Sequence, residues 1–199
     1  LLDELYAKEH EFKKHLQTIL GFTHIETDQA VGNIREYISG IYKDGERSKQ
    51  GTSYQTGNSI INALLYSKAK EAESNQITLF YIPSGTSPDY PCQKHELIEI
   101  IGNLIDNAFE HVKTLIVEER KVFLSLENRD GKKIIEVRNI YDPKDQSKIH
   151  FMPKKGYTTK DGSHRGYGLY NVATIVSRYN GTLKLFYEND QIVVQVLFQ

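Results

Sequence analysis

The sequence predicts an α+β protein: a helical N-terminal third, residues 1–75, followed by a two-layer α/β sandwich over residues 76–199. Three observations predict it. Apolar residues recur at helical spacing through three successive stretches before residue 75, with no strand pattern between them. From residue 76 onward, short strand-like runs, most of them joined by hairpin turns, alternate with helical stretches. At the centre of that second part, residues 95–112 read HELIEIIGNLIDNAFEHV, one amphipathic helix with a polar face of unusual composition.

Taken in order, residues 1–24 predict a helix with Leu5, Phe12, Leu16 and Ile19 on one face and Leu2 and Leu20 at its edge. Thr27 or Asp28 caps a second helix reaching about Lys43, with Val31, Ile34, Tyr37, Ile38 and Ile41 inward. The polar run 44–53 is a loop, and a third helix covers about 56–74. These helices carry too little apolar surface for a self-contained layered domain, so they are expected to pair with a second copy as a helical hairpin or bundle. Residues 76–82 form a strand and 83–91 a loop into the central helix. Strands at 121–127 and 133–138 flank Asn128-Arg129-Asp130-Gly131, a hairpin signal. After an irregular span, 139–165, a helix over 166–179 stops at Asn180-Gly181, and strands at 182–187 and 192–198 close the chain.

Composition narrows the function. The net charge is −1 with both signs interspersed, which argues against a nucleic-acid or anionic-membrane surface as the main business. A lone cysteine forms no internal disulfide and points to a reducing compartment. No apolar run approaches the roughly 20 residues of a membrane span. The chain opens inside an amphipathic pattern without Met, so upstream segments are expected. Cys92 and His95 make an isolated pair, with His111 on another helix face, and no zinc site is read from them.

On the central helix, Asn103, Asn107 and Glu110 fall within roughly 60° of one another. Asparagine is a mediocre helix former, and a merely solvated face favours Lys, Glu or Gln. An amide oxygen is a neutral ligand for Mg²⁺, which keeps several waters and leans on substrate phosphates. The span after residue 139 is long for a loop in a compact domain, and such spans serve as lids or binding loops. It contains KKGYTTKDGSHRGYGLYNV, where Gly166 and Gly168 stand at a helix start, an anion-binding position, amid Lys154, Lys155, Lys160, His164 and Arg165.

Together these features resemble the ATP-binding domain shared by sensor histidine kinases and their gyrase, chaperone and mismatch-repair relatives. Asn103-Leu-Ile-Asp106-Asn107-Ala108 matches the family's N-box, and Gly156-Tyr-Thr-Thr-Lys160 with Arg165-Gly-Tyr-Gly168-Leu matches its lid and second glycine box. The resemblance implies a sandwich of the Bergerat type, with Asn107 as Mg²⁺ ligand and Asn103 and Glu110 supporting the phosphate side. It further implies that Lys160, Arg165, Gly166 and Gly168 surround the phosphates of ATP beneath a lid over 150–165. Gyrase-like ATPases carry a water-activating glutamate where this chain has Asn103, which favours phosphoryl transfer over hydrolysis.

The first helix extends the resemblance. KEHEFKKHLQTILGF, residues 8–22, is similar to the phosphoacceptor helix of citrate/dicarboxylate-sensing and peptide-pheromone-sensing kinases. His10-Glu11-Phe12 matches the phosphorylated motif, and His15-Leu16 its second half in the pheromone type. His10 lies roughly 120° from the apolar stripe. Neutral imidazole is a competent nucleophile, and Glu11 is placed to take the Nδ1 proton and favour attack through Nε2. The implied whole is a homodimeric two-component kinase core that autophosphorylates His10 and passes the phosphoryl group to an aspartate of a response regulator receiver domain. It would be the cytoplasmic portion of a bacterial membrane receptor, reaching the membrane only through upstream segments.

Two departures stand out. The family's first glycine box carries Asp-x-Gly, the Asp reading the adenine amino group; here VRNIYDP offers Asn139, whose carbonyl can accept the same hydrogen bond, and Asp142 is a poorer substitute. Weaker or less adenine-selective binding is expected. Lys14 stands where relatives often carry Asn, so phosphatase activity is not implied. The missing glycine box is the best support for the alternative, a non-catalytic phosphorelay or scaffold dimer with a degenerate ATP domain.

Overall fold

The computed structural model describes residues 2–24, 29–41, 54–84, 87–141 and 168–199, and of residues 2–8, 11 and 39–41 the backbone alone. The chain divides into two compact units, Leu1–Gln50 and Gly51–Gln199. Among the described residues, no helix is long and apolar enough to cross a membrane.

The first unit is a pair of helices, α1 (Leu2–Thr23) and α2 (Ala30–Ile41), packed on each other. Tyr37 is their joint. Its hydroxyl hydrogen-bonds His15 Nδ1 at 3.0 Å, and its ring meets that of Phe22 edge-on at 5.8 Å. The apolar stripe expected to face inward does so only in part. Ile19, Ile34 and Tyr37 are half-buried, but Phe12, Leu16 and Leu20, at four-residue steps along α1, are 60%, 49% and 57% exposed. Two helices cover only one side of each other, so a stripe of roughly 100° is left partly open. The caps expected at Thr27 or Asp28 and the loop at 44–53 lie outside the described residues.

The second unit is the predicted sandwich, with one difference. The third helix, α3 (Ser59–Ser74), belongs with it, because Ile61, Leu65 and Ala72 are buried in the same core as the sheet. α3 starts later than the expected residue 56 because Asn58 caps it, accepting from the backbone of Ile60 and Ile61. Buried Thr56 turns instead to Asn62, donating to Oδ1 from both its backbone and its hydroxyl.

Five strands follow: β1 (Thr78–Pro83), β2 (Lys121–Arg129), β3 (Lys132–Ile140), β4 (Thr182–Glu188) and β5 (Gln191–Phe198). The sheet order is β1-β2-β3-β5-β4, parallel between β1 and β2 and antiparallel elsewhere. The parallel pair needs a long crossover, which α4 (Lys94–Val112) supplies. Both hairpins turn tightly: Asp130 and Gly131 have φ of 53° and 76°, Asn189 and Asp190 of 49° and 60°, as type I′ turns require. Alternate residues from three neighbouring strands, Val122, Leu124 and Leu126, Ile135 and Val137, Val194 and Val196, share the face beneath the helices.

α4 lies on that face. Every member of its predicted stripe, Leu97, Ile101, Leu104, Ile105, Ala108 and Val112, is buried, and Ile100 and Phe109 are buried as well. The stripe is wider than predicted because α3 and α5 (Gly168–Arg178) also pack against α4.

α5 ends in a Schellman motif. Gly181 N–H donates to Val176 O and Asn180 N–H to Ser177 O, with Asn180 in the left-handed region at φ 53°. The expected stop at Asn180-Gly181 is thus observed, with asparagine taking the left-handed position and glycine serving close approach. A Cβ on Gly181 would sit 2.8 Å from both Val176 and Phe198 and 2.9 Å from the Leu197 carbonyl oxygen. Gly181→Ala is therefore expected to cost about 1–3 kcal/mol, read as a lower urea midpoint at unchanged slope.

Candidate functional site

The polar face of α4 meets the first residue of α5. A Cβ on Gly168 would stand 3.0 Å from Asn103 Oδ1 and 3.4 and 3.6 Å from Asn107 Nδ2 and Oδ1. The two amides predicted to act together therefore lie side by side, and the glycine predicted to open a helix lies against both. A side chain there would press on Asn103 Oδ1 and make the amide give by a few tenths of an ångström.

The two amides differ in their bonding. Asn103 Nδ2 donates to the Glu99 carbonyl one turn back at 2.8 Å, which orients its oxygen toward Gly168. Asn107 Nδ2 is buried and has no hydrogen-bond partner among the described residues. A buried amide nitrogen without an acceptor costs about 1–3 kcal/mol and calls for an explanation. An acceptor-rich ligand entering between α4 and the α5 N-terminus supplies one. A helix N-terminus has N–H groups without intrahelical partners and a positive dipole end, so the place suits an anion.

Neighbouring groups fix α4 in place. Asp106, within the same motif, turns away from the amides and pairs with Lys68 of α3, which also binds Glu71 at 2.8 Å. Burial works against charge on Lys68, but Asp106 and Glu71 outweigh it and its pKa is raised. Glu110 is exposed one turn beyond Asp106. Asn139 is buried near the end of β3 on the helix-facing side, its Nδ2 donating to the Ile140 carbonyl at 2.8 Å. That bond uses the nitrogen and leaves Oδ1 for the acceptor role expected of it. Tyr141, next after β3, lays its ring 4.6 Å from that of His111 on α4, so this strand end comes beside the helix one turn past Asn107.

At the other end of α4, Glu96 is a feature the sequence reading missed. It is buried, yet its carboxylate accepts from the Gln93 backbone at 3.0 Å, from the Tyr179 hydroxyl, and pairs with Arg178 at 3.0 Å. Gln93 is not a usual cap residue, so its backbone bond to Glu96 carried no clear sequence signal, and partners more than eighty residues away carried none. The Tyr179 hydroxyl, helped by Gln93 and Arg178, outweighs burial and holds the carboxyl below its ordinary 4.5. A carboxyl with a depressed folded pKa contributes stability that is complete above the unfolded value and is lost as pH falls through the folded one. Unfolding midpoints are therefore expected to fall, as pH drops below about 5, more steeply in wild type than in Glu96→Gln.

His10 is exposed on α1, with Glu9 and Lys13 paired beside it at 2.7 Å. His15, the other histidine of the motif, is half-buried against Tyr37. Glu11 lies in α1 by its backbone, and its side chain is outside the described residues, as are Lys160, Arg165, Gly166, Asp142 and the whole 150–165 lid.

A helix bearing paired amides, set on a mixed five-stranded sheet and faced by a glycine-led second helix, defines a class. The GHKL domain family matches residues 93–199, more than half of the chain, and the chain belongs to that family. Its fold is that of histidine kinase catalytic domains: histidine kinase ThkA, in a crystal structure with the response regulator protein TrrA, superposes with a TM-score of 0.58 at 16% identity, over 98% of this chain and 60% of that one. Among curated proteins, it is similar to sensor protein CitS of Bacillus subtilis, 31% identical over 186 residues, 92% of this chain and 33% of that protein. Sensor protein CitS of Halalkalibacterium halodurans is 28% identical over 188 residues, 92% of this chain and 34% of that protein. The chain spans about a third of the length of these relatives.

Proposed function

We propose that this chain is the catalytic core of a two-component sensor histidine kinase, acting as a homodimer. The carrying observation is the amide pair of Asn103 and Asn107 against Gly168, with a buried Asn107 Nδ2 that has no partner among the described residues and is directed at a helix N-terminus. ATP is the phosphoryl donor. Asn107 would hold Mg²⁺ through its amide oxygen, and the ion would neutralise charge on the triphosphate and hold it in line. Asn103, Glu110 and the α5 N-terminus form the phosphate side, and Lys160, Arg165 and Gly166 complete it from the lid. Asn139 Oδ1 accepts from the adenine amino group.

His10 is the acceptor. Its Nε2 lone pair forms a bond to the γ-phosphorus as the bond to the β–γ bridging oxygen breaks and ADP departs. The Nδ1 proton passes to Glu11, restoring a neutral ring. The phosphoryl group then moves to an aspartate carboxylate of a response regulator. The exposure of His10 supports this choice over His15, whose Nδ1 is engaged by Tyr37. The open Phe12-Leu16-Leu20 stripe supports pairing of the helices with a second copy, since exposed apolar stripes of this kind mark interaction surfaces. The kinship with full-length sensor proteins supports placing this core on the cytoplasmic side of a bacterial membrane, joined to it by upstream segments.

The test is incubation with γ-labelled ATP and Mg²⁺. The reading expects an acid-labile, base-stable phosphoprotein that gives up its label to a receiver domain. Steady ATP turnover with no phosphoprotein contradicts it.

A further inference from the structure

We infer that Glu96, with Tyr179 and Arg178, is a positioning residue that sets the register of α5 along α4 and thereby the seat of Gly168 against Asn103 and Asn107. For its functional consequence this rests on the nucleotide-site reading above. The geometry is that of a helix held at both ends. Gly168, at the first turn of α5, touches the amides; Arg178 and Tyr179, at the last turn, reach the Glu96 carboxylate. The two helices therefore run antiparallel. Along α5 the two contacts are about 15 Å apart, and along α4 the distance from Glu96 to the amides is about 10–16 Å. The spans match, so one contact fixes the other.

The apolar contacts between the helices set that register less sharply. Leu169, Val172, Ile175 and Val176 bury one face of α5, but apolar contact is non-directional and resists separation more than sliding. The Glu96 carboxylate is directional. It takes a charge-assisted hydrogen bond from the Tyr179 hydroxyl and an ion pair from Arg178, and is itself tied to the α4 N-terminus through Gln93 N–H. The Schellman motif and the tight fit at Gly181 hold the same end of α5 against the end of β5. A slip of about 1 Å alters how Gly168 packs against the amides, where an added Cβ would lie 3.0 Å from Asn103 Oδ1, and misplacement on that scale costs up to about 100-fold in a positioned site.

The experiment compares Tyr179→Phe and Glu96→Gln with Tyr90→Phe in the whole chain. Tyr90→Phe is the control: it deletes another buried hydroxyl, which donates to the Ile134 carbonyl at 3.1 Å away from the amide pair. Tyr179→Phe removes one oxygen and keeps the ring, so it reports even where Glu96→Gln fails to fold. The side-chain amide resonances of Asn103 and Asn107 in the nucleotide-free protein are expected to shift in both clasp variants and to stay in place in the control. The dissociation constant for Mg²⁺-ATP is expected to rise about tenfold in the clasp variants and to change less than about twofold in the control. Unmoved amide resonances in Tyr179→Phe overturn the inference, and so does an equal shift in Tyr90→Phe. If the wild type takes no Mg²⁺-ATP, the proposed function falls, while the resonances still decide the clasp.

Discussion

Glutamine at position 10 is expected to abolish phosphoprotein formation while leaving Mg²⁺-ATP binding within about twofold of wild type, because the acceptor atom is lost and the donor site is untouched. Glutamine forms helix well and is close to histidine in size and polarity, so α1 should persist. The loss is chemical rather than structural: no other atom of the side chain carries a lone pair basic enough to attack phosphorus. His15 is a poor substitute, since its ring is half-buried and hydrogen-bonded to Tyr37. Label measured after base treatment, with circular dichroism as the folding control, checks this. Full labelling of His10→Gln contradicts the acceptor assignment.

Asn107→Asp is expected to reduce both nucleotide affinity and phosphoprotein yield about 100-fold. The substitution is isosteric and keeps an oxygen where Mg²⁺ would bind. It replaces Nδ2, which has no partner among the described residues and carries the only amide hydrogens that side chain has to offer an anion, by a second acceptor. It also sets a charge beside Asn103 Oδ1 and the triphosphate. At an effective dielectric near 20, like charges about 5 Å apart repel by roughly 3 kcal/mol; Mg²⁺ at the same oxygen offsets part of that, and the lost Nδ2 hydrogens make up the rest of the factor. Titration of Mg²⁺-ATP into the variant checks the affinity, and wild-type affinity there counts against Asn107 as the ligand.

The sequence made the second unit legible because its signals are local. The period of α4 is visible in Leu97, Ile101, Leu104, Ile105, Ala108 and Val112, and all are buried. Asp130-Gly131 and Asn189-Asp190 mark turns whose dihedral needs few residues meet, and both hairpins form there. The amide pair was readable since two asparagines on one helix face conflict with propensity, and the structure brings them to Gly168. What escaped depends on partners far along the chain. Glu96 looked like any first-turn carboxylate, and nothing within twenty residues announces Tyr179 or Arg178. Asp106 shares a motif with Asn107 but serves Lys68, a pairing across 38 positions. α3 was grouped with the first two helices because amphipathic helices look alike; its placement depends on which core its stripe meets. The same ambiguity affects Phe12 and Leu16, since periodicity tells that a face is apolar and not which chain covers it.

The most direct test of the central claim is calorimetric titration of the His10→Gln protein with Mg²⁺-ATP, a background in which no phosphoryl transfer consumes the ligand. The account predicts saturable one-to-one binding with a dissociation constant between about 1 μM and 1 mM, weakened by Asn107→Asp and dependent on Mg²⁺. The absence of saturable heat well above about 1 mM contradicts it, as does binding that ignores both the metal and the amide.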